Sequence, residues 1–232
     1  MKFCIVNFNT QKLTDATIQS VNKWHDDAEI TVFDNSDKEP FVNTFDNVNV
    51  IDNTKGQIIN FDEVLSRHEL IDNTGNNFGS FKHCLTIDKC IEVMDGNFIL
   101  LDSDVLLKGR VDVIHNEKFC TVAEIWPPFN EWRGRVVPFI CFINKKMCEE
   151  HNVHFCDENL MWGVKHDFPY YDTGSYFLED IMKKKLPIGG IKFQNFIVHY
   201  GAGSYRDYAE KTGGYKHLDV DDWLKMYECL YK

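Results

Sequence analysis

Apolar runs and polar stops alternate along the first half of the chain with two different periods. "KFCIVNF", "EITVFDN", "VNVIDN" and "NFILLDSD" are short apolar stretches running into Asn or Asp, the pattern of buried strands. Between them, "LTDATIQSVNKW" places Leu13, Ile18, Val21 and Trp24 on one face at helical spacing, and "GSFKHCLTIDKCIEVM" forms a second helix. Strands alternating with helices predict an α/β fold, a mostly parallel sheet with helices on both faces. Ligands of such sheets bind beyond the carboxyl ends of the strands. By that rule Asn7 and Asn9, Asp34 to Ser36, and Asp102 to Asp104 should converge on one crevice.

The pattern is looser further on. "FDEVLSRHEL" reads as a short helix in an excursion from Thr54 to His68. "TVAEIW" and "VVPFICFIN" are apolar segments separated by the loop "PPFNEWRGR". "YYDTGSYFLEDIMKKK" is a helix with Asp172 or Thr173 as its N-cap, because either side chain can accept from the first-turn amides. "IKFQNFIVHYGAGS" reads as a strand running into a glycine-rich turn. The tail "DVDDWLKMYECLY" carries Trp223, Met226, Tyr227 and Leu230 on one side, a stripe that packs onto the domain or lies on a membrane or partner. At 232 residues the chain is expected to be a single domain, with a ligand-binding half at 1–107 and a second half at 108–232.

Composition narrows the partners. The net charge of -11 argues against a nucleic-acid backbone, which needs a basic surface. No stretch reaches the roughly 20 apolar residues of a membrane span. "MKFCIVNF" reads as a strand that starts at once, so no signal peptide is expected. Eight cysteines, mostly inside apolar stretches, fit reduced and packed thiols in a cytoplasmic protein. Cys148, His151, His154 and Cys156 in "CEEHNVHFC" leave two readings, a zinc site or a helix end with a loop. Their crowding into nine residues, without a long spacer, favours the second.

The strongest chemical signal is "GNFILLDSDVLLKG". Two acids flank one small residue where the apolar runs on both sides say core. A buried carboxylate is expensive unless paired. Asp102 and Asp104 at a strand end suit a hard divalent cation, Mg²⁺ or Mn²⁺, which takes oxygen ligands and shares them with substrate phosphates.

From "IVNFNT" through "VFDNSD", "NFGSFKHCLTID" and "LLDSDV" to "YYDTGSYFLEDI" and "VHYGAGS", the chain resembles the GT-A fold glycosyltransferases, nearest the family-2-like members. The resemblance implies a Rossmann-like sheet and transfer of a sugar from a nucleotide-diphosphate sugar, UDP-sugar foremost, to a glycan or glycolipid hydroxyl. It implies that Asp104 binds the metal directly, that Asp102 holds the metal or ribose, and that His199 completes the metal site. Asn7, Asn9 and Asp34, with Thr10 beside them, would face the nucleotide, as would Ser103. Ser80 and His83 would face the nucleotide or donor sugar, and Ser204 with Arg206 the phosphates. Asp172 matches the base of an inverting enzyme, although Tyr171 stands where the family has an acid. Asp180, in the Glu179–Asp180 pair, is the alternative. Trp126, Phe129, Trp132 and Tyr170 could stack on sugar rings.

Two rivals remain. A nucleotidyltransferase needs a glycine-rich loop after the first strand, and "NFNTQKL" has no glycine. Against a glycan- or nucleotide-binding module of the same fold without turnover stand the intact Asp102, Asp104 and His199, while a departed base would count for it.

Overall fold

Alternation along each strand sets the layers. The computed structural model describes residues 1–67, 78–129, 133–158, 171–201 and 219–232. Strands β1 (Lys2–Asn7), β2 (Glu29–Asp34), β3 (Val48–Asp52) and β4 (Phe98–Asp102) run parallel. Successive side chains point to opposite faces of a strand. Phe3, Ile5, Ile99 and Leu101 therefore enter one core with Ile18 and Val21 of α1 (Gln11–Trp24). Cys4, Phe98 and Leu100 enter the other, with Phe81, Cys84, Ile87 and Cys90 of α3 (Phe78–Val93). Between β3 and α3 lies the short α2 (Phe61–Arg67). Residues 68–70 of the expected helix lie outside the described residues. Because helices cover both faces, both faces of the sheet are apolar, as the sequence pattern required.

The sheet has seven strands in the order β10-β6-β9-β4-β1-β2-β3, with β6 at Thr121–Ala123, β9 at Ile140–Ile143 and β10 at Ile188–Gly190. Only β9 runs against its neighbours, so the sheet is mostly parallel. Asn7 pairs with Asp34, Asp34 with Asp52, and Val6 with Asp102. This register aligns the C-terminal ends of four strands along one edge. Two ribbons stand off the sheet: β5 (Val105–Leu107) with β11 (Ile197–His199), and β7 (Ile125–Trp126) with β8 (Arg135–Val136).

Several local expectations need correction. The helix after "YYDTG" is α5, Ser175–Lys183, counting α4 at Lys145–His151. Its N-cap is Gly174 at φ 83, with no side-chain cap, so neither Asp172 nor Thr173 caps it. The Asp172 carbonyl accepts the Ser175 amide in a tight turn, and its carboxylate is drawn elsewhere. "IKFQNFIVHY" is not one strand. The buried Glu124 carboxylate accepts the Phe193 amide at 2.9 Å and a 3-10 turn follows at Phe193–Asn195, so the strand starts only at Ile197. In "CEEHNVHFC", α4 ends at His151 and Asn152 takes a left-handed cap at φ 53. Cys148 is buried with its sulfur 3.9 Å from that of Cys120. The packing reading stands. All eight cysteines are free thiols, six of them buried.

The tail forms α6 (Val220–Met226), whose Trp223 packs with Leu13, Ala16, Leu106 and Tyr200. Most of its apolar stripe thus lies on the domain. Among the described residues no helix is long and apolar enough to cross a membrane.

Asp88 of α3 carries a pH signature. Burial pushes its carboxyl up to about 7, although the Phe155 and Cys156 amides, at 2.6 and 2.9 Å, favour the anion. A carboxyl raised in the folded state binds more protons than in the unfolded chain. Its contribution is therefore complete below the ordinary value of 3.8 and is lost as pH rises toward about 7. Thermal unfolding across that window should show a falling stability in the native protein and a flatter profile in Asp88→Asn. Parallel profiles would rule out this account of Asp88.

Candidate functional site

The edge where the parallel strands end carries the acids. Asp102 is the last residue of β4, Ser103 and Asp104 make the turn, and β5 begins at Val105. β11 pairs antiparallel with β5 so that His199 stands opposite Val105, and the Tyr200 amide donates to the Asp104 carbonyl at 2.9 Å. This register brings His199 Nε2 to 3.2 Å from Asp104 Oδ1. One ligand atom each from Asp102, Asp104 and His199 lie within 4.8 Å of one another, the only such cluster among the described residues.

The electrostatics show strain that a cation would relieve. Burial raises the Asp102 carboxyl above its ordinary value, against the pull of His83, and Asp104 pushes it further up. Burial would lower His199, but the Asp104 hydrogen bond and the charges of Asp104 and Asp102 prevail and hold it above its ordinary value. Among the described residues, Asp102 Oδ1 is buried without a hydrogen bond, and so is His83 Nε2. The two atoms are 3.5 Å apart and do not bond each other. An orphaned buried carboxylate oxygen asks for an explanation, and two carboxylates with an imidazole form a donor set that suits Mn²⁺. The residues fit the ion. The His199 ring also lies on Phe139, centroids 3.8 Å apart.

On the β1–β2 side, Asn7 and Asp34 are hydrogen-bonded within their own loop. Asn7 is fully buried and Asp34 is 1% exposed. Asp34 accepts from the Asn7 amide group, the Ser36 amide and hydroxyl, and the Phe41 amide. Asn7 in turn accepts from Thr10 and Thr14. The chain at 35–41 folds back over Asp34, so the pair builds the loop from within. Asn9, at φ 55, bonds Asp37 and the Lys38 amide and is half-buried. The Ser103 hydroxyl accepts from Thr10 at 2.9 Å, which ties the turn of the acids to this loop.

Asp172 and Asp180 part company. Asp172 Oδ1 accepts from Ser80 at 2.6 Å and from the Thr173 amide, while Oδ2 pairs with Arg135. The Arg135 charge acts on both Asp102 and His199. Asp180 is committed to Lys184 at 2.6 Å and to the His154 amide, on the α4 side. The sequence singled out neither Arg135 nor Phe139. An arginine in "EWRGRVV" carries no linear signal of its partner 37 positions away. Trp132, Tyr170, Ser204 and Arg206 lie outside the described residues.

No family model matches the sequence, and no curated protein does. Solved structures do. A structure of an active-site mutant of LgtC superposes with a TM-score of 0.55 at 13% identity, over 95% of this chain and 81% of that one. The galactosyltransferase LgtC in complex with donor and acceptor sugar analogues gives 0.50 at 12%, over 84% and 74%. Mouse xyloside xylosyltransferase 1 gives 0.50 at 9%, over 83% and 86%. The chain has the GT-A fold. On that GT-A sheet the Asp102–Asp104–His199 cluster sits at the carboxyl edge of β4, where ligands of open α/β sheets bind.

Proposed function

We propose that this chain is a metal-dependent glycosyltransferase that moves a sugar from a nucleotide-diphosphate sugar, UDP-sugar foremost, to a hydroxyl of a glycan or glycolipid acceptor in the cytoplasm. The observation that carries this is the three-ligand cluster, with its orphaned buried oxygen on Asp102, at the binding edge of a GT-A sheet. Asp102, Asp104 and His199 would hold Mn²⁺ or Mg²⁺, whose chemistry is to neutralise the leaving diphosphate. Asn9 and Ser103, half-buried at the β1 and β4 ends, would meet the nucleotide. His83 adds a polar atom beside Asp102 that has no hydrogen bond among the described residues.

An inverting course would need Asp172 to take the acceptor proton, with Oδ2 first released by Arg135. That engagement favours one alternative, a nucleotide- or glycan-binding module without turnover. Calorimetric titration of UDP-glucose and UDP-galactose, with Mn²⁺ and then with excess chelator, tests the main reading. A carboxylate pair without a cation repels a diphosphate, so affinity should fall at least about tenfold, or 1.4 kcal/mol, on chelation. Equal affinity in both arms would defeat the metal role. Release of free sugar or transfer product separates the enzyme from the module.

A further inference from the structure

On the far side of the acid cluster from the β1–β2 loop, the ribbon β7–β8 presents an aromatic ring and an ion pair side by side. Trp126 pairs in register with Arg135. The Arg135 guanidinium lies over the Trp126 ring, 4.6 Å from its centroid. The ring is fixed on two other sides. Its Nε1–H donates to the buried Glu124 at 3.3 Å, and it makes a T-shaped contact with Phe139, centroids 6.0 Å apart. Gly134 lets the loop close tightly here, since a Cβ would come within 3.2 Å of the Trp126 carbonyl oxygen. Yet 37% of Trp126 remains exposed. The ring is thus held in one orientation and still offers apolar surface to solvent.

Arg135 is equally specific. Asp172 takes Nη1, and among the described residues the guanidinium has no other hydrogen-bond partner. Asp172 is itself fixed by Ser80 and by the Thr173 amide. Phe139, which contacts Trp126, also lies against His199, so one ring links the ribbon to the cluster.

We propose that Trp126 and Arg135 form a subsite for a pyranose ring of the acceptor, with Asp172 as the residue that positions Arg135. This rests on the glycosyltransferase reading of the same site. A pyranose offers an apolar C–H face, which suits the exposed indole, and a rim of hydroxyls, which suits the free guanidinium N–H groups and the carboxylate edge. The acceptor is thereby a glycoside with a sugar at its receiving end, rather than a lipid or protein hydroxyl. Asp172 acts through Arg135, by holding its planar fork in one orientation.

Binding of methyl β-glucopyranoside, methyl β-galactopyranoside and methyl β-xylopyranoside, followed by saturation-transfer NMR with Mn²⁺ and UDP present, tests the subsite, with glycerol as the non-cyclic control. At least one pyranoside should bind the native protein, Trp126→Ala should weaken it at least about tenfold, and Trp126→Phe should restore most of the loss. Three results overturn the proposal: no pyranoside binds, Trp126→Ala binds as the native protein does, or UDP affinity falls in parallel with the sugar's. Pyranoside binding that survives while UDP-sugars never bind would overturn the glycosyltransferase reading and leave the subsite standing. For Asp172, a positioning role predicts that Asp172→Asn and Arg135→Lys each raise the acceptor KM. The double variant should be no worse than either, and the pH–rate profile should keep its shape. A general base predicts instead a roughly 10²–10⁴-fold loss in kcat with the acid limb of the profile gone, and that result overturns the positioning role.

Discussion

Asp104→Ala should abolish Mn²⁺-dependent binding of UDP while leaving the protein folded. The loss should exceed the roughly 10–100-fold that removing a mere supporting contact from a metal site produces, since Asp104 supplies a ligand atom and also bonds His199. Folding survives because the link from this turn to β11 runs through the Asp104 carbonyl and the Tyr200 amide, which the substitution keeps. Removing one of two close acids also lowers their mutual repulsion. Calorimetry with and without Mn²⁺, beside circular dichroism of the same sample, reads both halves. Metal-linked binding that persists in a folded variant would refute the ligand role of Asp104.

Gly174→Ala should be the most destabilising small substitution in the vicinity of the site. Its φ of 83 lies in the left-handed region, and an added Cβ would fall 2.1 Å from the Val136 carbonyl oxygen. That oxygen belongs to backbone and cannot swing aside. The left-handed conformation costs roughly 1–2 kcal/mol and overpacking typically 1–3 kcal/mol, together a fall in Tm of about 5–20 °C for a chain of this size. Gly96→Ala is the control. Its φ is 82, yet nothing lies within 4 Å of the added carbon, so only the conformational cost applies. Equal melting points for the two variants would show that the Val136 contact is not rigid.

The parts of this fold that could be read from the sequence are those where burial and period coincide. β1, β2 and β4 are short apolar runs with a polar residue at the exit, and the edge they form follows from the parallel pattern alone. Asp102 and Asp104 stood out because acids interrupt an apolar run. His199 could be placed at a strand end, but the ribbon that delivers it to Asp104 pairs residues ninety or more positions apart, which no local pattern encodes. Asn7 and Asp34 were readable as strand-exit residues and not as loop builders. Whether such a side chain faces a ligand or its own loop depends on how the chain at 35–41 folds back. The cap of α5 failed for a related reason. Asp172 has the right side chain for the job, but Gly174 takes the cap position and the carboxylate goes to Arg135 and Ser80.

The β5–β11 ribbon makes the site digital in its response to insertions and deletions. Because side chains along a strand alternate with a period of two, a one-residue slip turns every one of them to the opposite face. A single residue added or removed between Lys192 and His199 would thus point the imidazole away from Asp104 unless the 3-10 turn at Phe193–Asn195 absorbed the change. That turn and the few residues flanking it are the slack on the path from β10. Length variation there should sort natural or engineered variants into two classes, those that keep the cation ligand set whole and those that lose His199 from it, with nothing between.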